Sequence, residues 1–337
     1  MKRLSTALLG VLFLAGSCSK QDAKVEQPNE EQASETMIIT QRSCASQEVL
    51  EEQMKADPRL ATRMAEIEAF TQRTIQNRQA MRLVNGVIEI PVVVHVLWNT
   101  AGQNISDVQV QSQIDVLNED FQNTNADRTL LPANSFQAVA SKGLPVRFVL
   151  AQAPIHKFTK TNSFSSNDAV KNSKRGGDNA INPAENLNMW VCNLGQGLLG
   201  YAQFPGGSLA TDGVVILYKA FGSKAKAPGG TYTTSYDLGR TATHEVGHWM
   251  NLRHIWGDDG GACSGSDLVT DTPNQGAENY GTPTYPHISC SNAPAGDMFM
   301  NYMDYTNDKA MYMFSINQKD RMMAIFTASG PRAKMGD

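Results

Sequence analysis

His244-Glu245-Val246-Gly247-His248-Trp249-Met250-Asn251-Leu252-Arg253-His254 gathers three of the chain's six histidines. The stretch lies in a helical pattern running from Leu238 to Leu252. Residues four apart share one face of a helix, so the imidazoles of His244 and His248 converge on one point. Glu245 is turned about 100° from His244 around the axis. It can reach a water at that point without becoming a ligand. Two histidines around a glutamate at this spacing form a zinc motif, although the bare pentapeptide also occurs on ordinary solvated helices. The third histidine sets this stretch apart. On an unbroken helix His254 would stand roughly 9 Å beyond His248. It joins the same metal only if the helix ends soon after His248 and the chain turns back. Asn251 is the place for that turn, because asparagine tolerates a left-handed backbone better than other non-glycine residues. Asp258 is the alternative third ligand. Zinc with three protein ligands and an open fourth position is the catalytic arrangement, in which the pKa of a bound water falls to about 7.

Outward from this helix the pattern is α+β. Val87 to Trp98 is β-branched and almost continuously apolar, which predicts a central strand. Ser106 caps a predicted helix through Val110, Ile114, Leu117 and Phe121. Strands are expected at Val146–Leu150, Met189–Leu194 and Val214–Tyr218, and a last helix at Asn317–Phe326. Residues 157–186 are polar and read as irregular. Between Ser46 and Gln79 apolar residues recur at helical steps, and Pro58 divides the segment into two helices. This largely charged segment is either a structural arm or a removable propeptide.

The N-terminus reads as an export signal. Met1-Lys2-Arg3 is basic, Leu4 to Leu14 is apolar, and Ala15-Gly16-Ser17 precede Cys18. Small residues before a cysteine suit lipidation of Cys18, and ordinary signal cleavage nearby is the alternative. Lys and Arg total 29 against 33 Asp and Glu, a formal charge of −4. With no basic stripe, that balance argues against a nucleic-acid partner. Past the N-terminus no run is apolar enough to span a bilayer, so membrane contact is expected only through a lipid on Cys18. Of the other cysteines, Cys263 and Cys290 flank a loop-rich segment where a disulfide would help most, and Cys192 suits a free core cysteine.

The segment from His244 to His254, followed by Ile255-Trp256-Gly257-Asp258, resembles the active-site stretch of the metzincins, specifically the ulilysin-like pappalysin family. Asn301-Tyr302-Met303-Asp304-Tyr305 is similar to that family's Met-turn. The resemblance runs, with gaps, from about Cys44 to Phe326. Asn251 departs from it, since the metzincin pattern has glycine there. The resemblance implies a metzincin-type catalytic domain: a twisted, mostly parallel sheet with two long helices, then an irregular C-terminal subdomain with a Met-turn. It implies a zinc endopeptidase made as a zymogen, with His244, His248 and His254 on zinc and Glu245 activating the water. Met303 would floor the site and Tyr305 would stabilise the oxyanion. It further implies a Cys263–Cys290 disulfide, a second family disulfide lost at Ala310, and calcium near Asp267 and Thr272. Asp258, Asp259, Asp267 and Asp271 crowd a glycine-rich loop of the kind that suits calcium, as well as an ordinary solvated one. Cys44 would cap the zinc in the latent form; a disulfide with Cys192 is the alternative. A preference for a basic residue after the scissile bond is implied too, with Asp308 as a candidate partner beside the opposing charge of Lys309.

The expected organisation is a signal peptide over 1–18, a polar tether over 19–42, a helical propeptide over 43–82 and a catalytic domain over 83–337. Arg78 and Arg82 are candidate cleavage points. The product would be a monomer, secreted or held at the cell surface, acting on protein or peptide substrates. A surface lipoprotein binding a protein partner, its zinc structural, is the other reading. Glu245 speaks against it, because a structural zinc needs no carboxylate beside its ligands.

Overall fold

Strand β1, Ile88–Trp98, runs through the middle of a six-stranded sheet, and five of its residues from Val92 to Val96 pair in parallel with β4, Leu187–Cys192. In this computed structural model the described residues are 39–77, 86–133 and 135–335. The signal peptide, Cys18, most of the tether and both candidate cleavage arginines lie outside them. On the other side of β1, strand β2 (Val146–Leu150) pairs with its first half and β3 (Ile155–Phe158) with its second, both parallel. Beyond β4 lies β6 (Val214–Leu217), parallel, and then β5 (Gly200–Ala202), antiparallel at the edge. Parallel strands need both faces covered, and β4 and β6 are buried at every residue. Cys192 is a free, buried cysteine on β4.

Helices α3 (Asp107–Phe121) and α4 (Arg240–Trp249) pack on the sheet and on each other. Ser106 caps α3 by accepting a hydrogen bond from the Gln109 N–H, as its sequence position predicts. The last helix, α5 (Ile316–Ala324), opens with a capping box between Ser315 and Gln318. That box moves its start one residue ahead of expectation. Helix α4 is shorter than the apolar pattern at both ends. Gly239, at φ 84°, admits the chain in a left-handed conformation, and a left-handed turn closes the helix. Strands β3 and β5 went unanticipated: β5 has three residues, too few for a pattern, and β3 is a half-exposed strip reaching into the segment expected to be irregular.

The segment ahead of the sheet folds as α1 (Ser46–Ala56) and α2 (Arg59–Asn77), separated at Asp57 and Pro58. The described residues belong to one compact unit, so this arm packs onto the rest of the fold. Helix α1 lies beside β5, and α2 lies beside α5.

Candidate active site

Helix α4 carries His244, Glu245 and His248, all buried. Its end determines the site. The Asn251 N–H donates to the His248 carbonyl and the Leu252 N–H to the Gly247 carbonyl, a Schellman closure. Asn251 takes the left-handed position at φ 76°. The chain therefore reverses, and His254 returns to the face that holds the other two histidines.

The three Nε2 atoms meet. His248 Nε2 lies 3.1 Å from Nε2 of both His244 and His254. Each Nδ1 faces an oxygen that can only accept: the Tyr302 carbonyl at 2.7 Å, the Leu252 carbonyl at 2.8 Å and Asp258 Oδ1 at 2.7 Å. The ring protons are thereby placed on Nδ1, and three Nε2 lone pairs face one another. Burial, with the neighbouring imidazoles, holds His244 and His248 well below the ordinary histidine pKa, so these rings are neutral. Uncharged lone pairs this close repel unless a cation stands between them, and neutral imidazoles backed by outer acceptors are what zinc requires. Cys44 Sγ completes the set; the sulfur and the three nitrogens lie within 4.8 Å of one another. Three nitrogens and one sulfur suit tetrahedral zinc. Asp258 stands behind His254 instead of in this group, which removes it as an alternative ligand.

Cys44 is a free thiol, as is Cys192, so the alternative disulfide does not form. The chain around Cys44 lies along the edge strand: the Leu199 N–H donates to the Ser43 carbonyl and the Ala45 N–H to the Gly200 carbonyl. Cys44 Sγ is 3.2 Å from Glu245 Oε2, and Ser46 Oγ donates to the same oxygen at 2.9 Å while accepting from the Ala202 N–H. Burial pushes the Glu245 carboxyl up to about 7, with hydrogen bonds from Cys44 and Ser46 opposing the rise. Gly200 is required beside it, since a Cβ there would lie 2.8 Å from Glu245 Cγ and Oε1.

The Tyr305 hydroxyl donates to the Cys44 carbonyl at 3.1 Å and lies 3.2 Å from His254 Nε2. Burial, then the charges of Cys44 and Glu245, push its pKa well up, so it is a phenol and a donor. Asn301–Asp304 forms a turn closed by the Asp304 N–H on the Asn301 carbonyl. Asn301 Oδ1 accepts from the Met303 N–H at 2.9 Å, and the buried Met303 lies under Gly247 of α4.

One ion pair escaped the sequence reading. Arg42, two residues before Cys44, is buried with Nη2 2.7 Å from Asp308 Oδ1, Nη1 on Thr241 Oγ1 and Nε on the Thr306 carbonyl. The Tyr236 ring lies 5.2 Å from its guanidinium carbon. Lys309 is exposed and takes no part in this pocket. The roles of Ser46 and Gly200 were also missed; the only available signal was their closeness, in sequence or along the β5 edge, to residues already singled out.

The acidic loop beyond His254 is not one cluster. Asp258 orients His254, Asp259 accepts four backbone N–H groups from Gly261, Ala262, Ser264 and Gly265, and Asp271 holds the start of α5 through Ser315 and Asn317. Asp267 remains, with Thr272 Oγ1 donating to it at 2.8 Å. Burial pushes its carboxyl up to about 7. The Cys263–Cys290 disulfide closes this loop region.

The Peptidase_M43 family model, described as pregnancy-associated plasma protein-A, matches residues 172–327. An extracellular metalloprotease of Pyricularia oryzae is 31% identical over 294 residues, covering 86% of this chain and 90% of its own. The solved mature mirolysin of Tannerella forsythia in complex with a cleaved peptide is 50% identical with a TM-score of 0.71, over 74% of this chain and 96% of that one. A solved promirolysin mutant from the same organism is 45% identical with a TM-score of 0.78, over 88% of this chain and 97% of its own. The difference, 88% less 74% of 337 residues, is roughly 47 residues matched in the precursor alone.

Proposed function

From a chain that belongs to the pappalysin family, and is a zinc metalloendopeptidase made as a zymogen, we infer how its residues divide the work. The observation that carries this reading is the meeting of three deprotonated Nε2 atoms at 3.1 Å beside a buried Glu245. His244, His248 and His254 hold zinc, and Asp258 orients the third of them. Bound there, zinc supplies a Lewis acid that lowers the pKa of a water and polarises a carbonyl. Glu245 takes a proton from the attacking water and passes it to the departing amine nitrogen. A carboxylate can carry out both halves of that transfer, as base and then as acid. Tyr305 donates its hydroxyl to the oxyanion that develops on the scissile carbonyl. In the precursor this hydroxyl is occupied by the Cys44 carbonyl. Met303 supports α4 from below as the Met-turn.

Residues 43–82 are the propeptide, and Cys44 closes the fourth position on zinc. The roughly 47 residues matched only in promirolysin are in keeping with an arm of this length. Arg42 occupies the Asp308 pocket, and once the arm leaves, that pocket receives a basic residue following the scissile bond of a protein or peptide substrate. Calcium binds at Asp267 and Thr272. The enzyme works outside the cell, as the extracellular relatives suggest, and it does so as a monomer, either released or anchored through a lipid on Cys18.

The experiment is Glu245→Ala on the processed enzyme. Zinc should stay near one per chain while proteolysis falls by about 10² to 10⁴. Cleavage within a few-fold of wild type would overturn the assignment.

A further inference from the structure

The arm is held at a second charged point, far from Cys44 in sequence. Arg321 on α5 is buried, and its guanidinium forks onto the carboxylate of Glu68 on α2 at 3.0 and 2.6 Å. Its Nε donates to the Asn251 carbonyl at 2.7 Å, the residue at which α4 turns back toward His254. Arg253 lies within the same electrostatic field: its charge interacts with Arg321, and Glu68 and Asp258 offset it. Gln72 also donates to Glu68, at 2.8 Å. Burial works against the Glu68 charge, yet the hydrogen bonds and charge of Arg321 hold its pKa below the ordinary value. Glu68 is thus a carboxylate bound in a fork, the geometry in which arginine recognises such groups.

This fork does not belong to the catalytic domain alone. If residues 43–82 leave on maturation, Glu68 goes with them, while Arg253 and Arg321 stay. Asp258 is committed to His254 Nδ1, and Asp267 to Thr272 and the Val269 N–H. Arg321 then loses its carboxylate partner on a face of α5 that α2 no longer covers, and the charge of Arg253, whose guanidinium carbon lies 5.8 Å from the Phe204 ring, loses the offset from Glu68.

We propose that Arg321 is the anchor of a carboxylate-binding site on the processed enzyme, with the charge of Arg253 reinforcing it and Glu68 as its occupant in the precursor. The proposal rests on the zymogen reading above. The ligand is an acidic side chain on a peptide, either the released arm binding again in trans or an extended substrate.

The test uses Glu245→Ala protein cut after Arg78 or Arg82 with trypsin, which is then removed, so that bound peptides survive. Calorimetry is run with a synthetic peptide of residues 46–77 and with its Glu68→Gln form. The Glu68→Gln peptide should bind at least about tenfold more weakly, since breaking one side of a desolvated charge pair costs at least that much. Arg253→Gln or Arg321→Lys in the protein should shrink that difference. Arg253→Gln leaves the Arg321–Asn251 hydrogen bond in place, which covers the case of an Arg321 variant that misfolds. A second arm compares kcat/KM of processed wild type and Arg253→Gln on substrate pairs carrying Glu or Gln at successive positions. A Glu preference lost in Arg253→Gln assigns the site to substrate. No preference, with a Glu68-dependent peptide affinity, assigns it to the released arm. Equal binding of both peptides, with no Glu preference, overturns the proposal, as does a processed enzyme that retains α2. Absence of proteolysis in wild type would instead strike at the peptidase reading, because calorimetry needs no turnover.

Discussion

A Cβ on Gly247 would lie 2.5 Å from the Sδ atom of Met303. Helix α4 and the Asn301–Tyr305 turn therefore touch backbone to side chain. Glycine in a helix interior costs about 1 kcal/mol relative to alanine, and here the close approach explains its presence. Gly247→Ala should destabilise by about 1 to 3 kcal/mol through overpacking, and it should loosen zinc by tilting the face that carries His244 and His248. Met303→Ala should relieve most of that loss in the double variant. Thermal melts of the four proteins of the cycle, read with metal content, test the coupling. Strictly additive losses would show that the two residues do not press on each other.

Much of this site could be read from the chain because its chemistry is local. His244, Glu245 and His248 share one helix face, and Asn251 marks the reversal that recovers His254. The strands around β1 and β4 were legible for the same reason, as long apolar runs. What could not be read depends on contacts across the fold. Nothing near Arg42 in sequence says that Asp308 lies 2.7 Å away, 266 residues on. The acidic loop is a like case: Asp258, Asp259 and Asp271 lie close to Asp267 in sequence, yet each of the three holds partners of its own. Cys44 was named by resemblance alone, and the fold then placed it among the three histidines.

Asp258 acts on His254 from behind, with Oδ1 on Nδ1 at 2.7 Å. Outer partners of this kind are worth about 10- to 100-fold in metal affinity. Asp258→Asn should keep one zinc per chain in excess metal yet lose it to a chelator at correspondingly lower concentration. His254→Ala should fail to hold zinc at all. Zinc titrations against a competing chelator separate the two. Equal affinities for wild type and Asp258→Asn would remove Asp258 from the site.

Asp267 offers a pH test of the calcium proposal. Its folded pKa of about 7 exceeds the ordinary 3.8, so the fold prefers the protonated form. Between those values the native state binds more protons than the unfolded one, and stability must fall as pH rises from about 4 to about 7. The full effect is up to roughly 4 kcal/mol. A calcium ion would reverse this by favouring the carboxylate. Wild type without calcium should therefore lose stability across that range, and millimolar calcium should restore it at pH 7.5. Asp267→Asn should show neither the loss nor the rescue. Calcium rescue of Asp267→Asn equal to that of wild type would place the ion elsewhere.

Latency is the remaining question, and the arm is held at more than Cys44. Arg42 fills the Asp308 pocket, Ser46 binds Glu245, and the backbone of Ser43 and Ala45 pairs with the β5 edge. Cys44→Ala opens the fourth zinc position to water but leaves those contacts intact. The variant precursor should process itself at least about tenfold faster than wild type without being fully active at the outset, because a freed position restores only the water that Glu245 needs. Adding Arg42→Ala should speed it further, since a buried Asp308 would lose its partner and the arm its deepest anchor. Cys44 and Cys192 are both free, so release of the arm should not require reductant. Time courses of cleavage for the three precursors, with and without reductant, decide the matter. A Cys44→Ala precursor as slow as wild type would mean that the arm blocks the cleft by its bulk and its ion pairs, and the thiol would have no part in holding the enzyme silent.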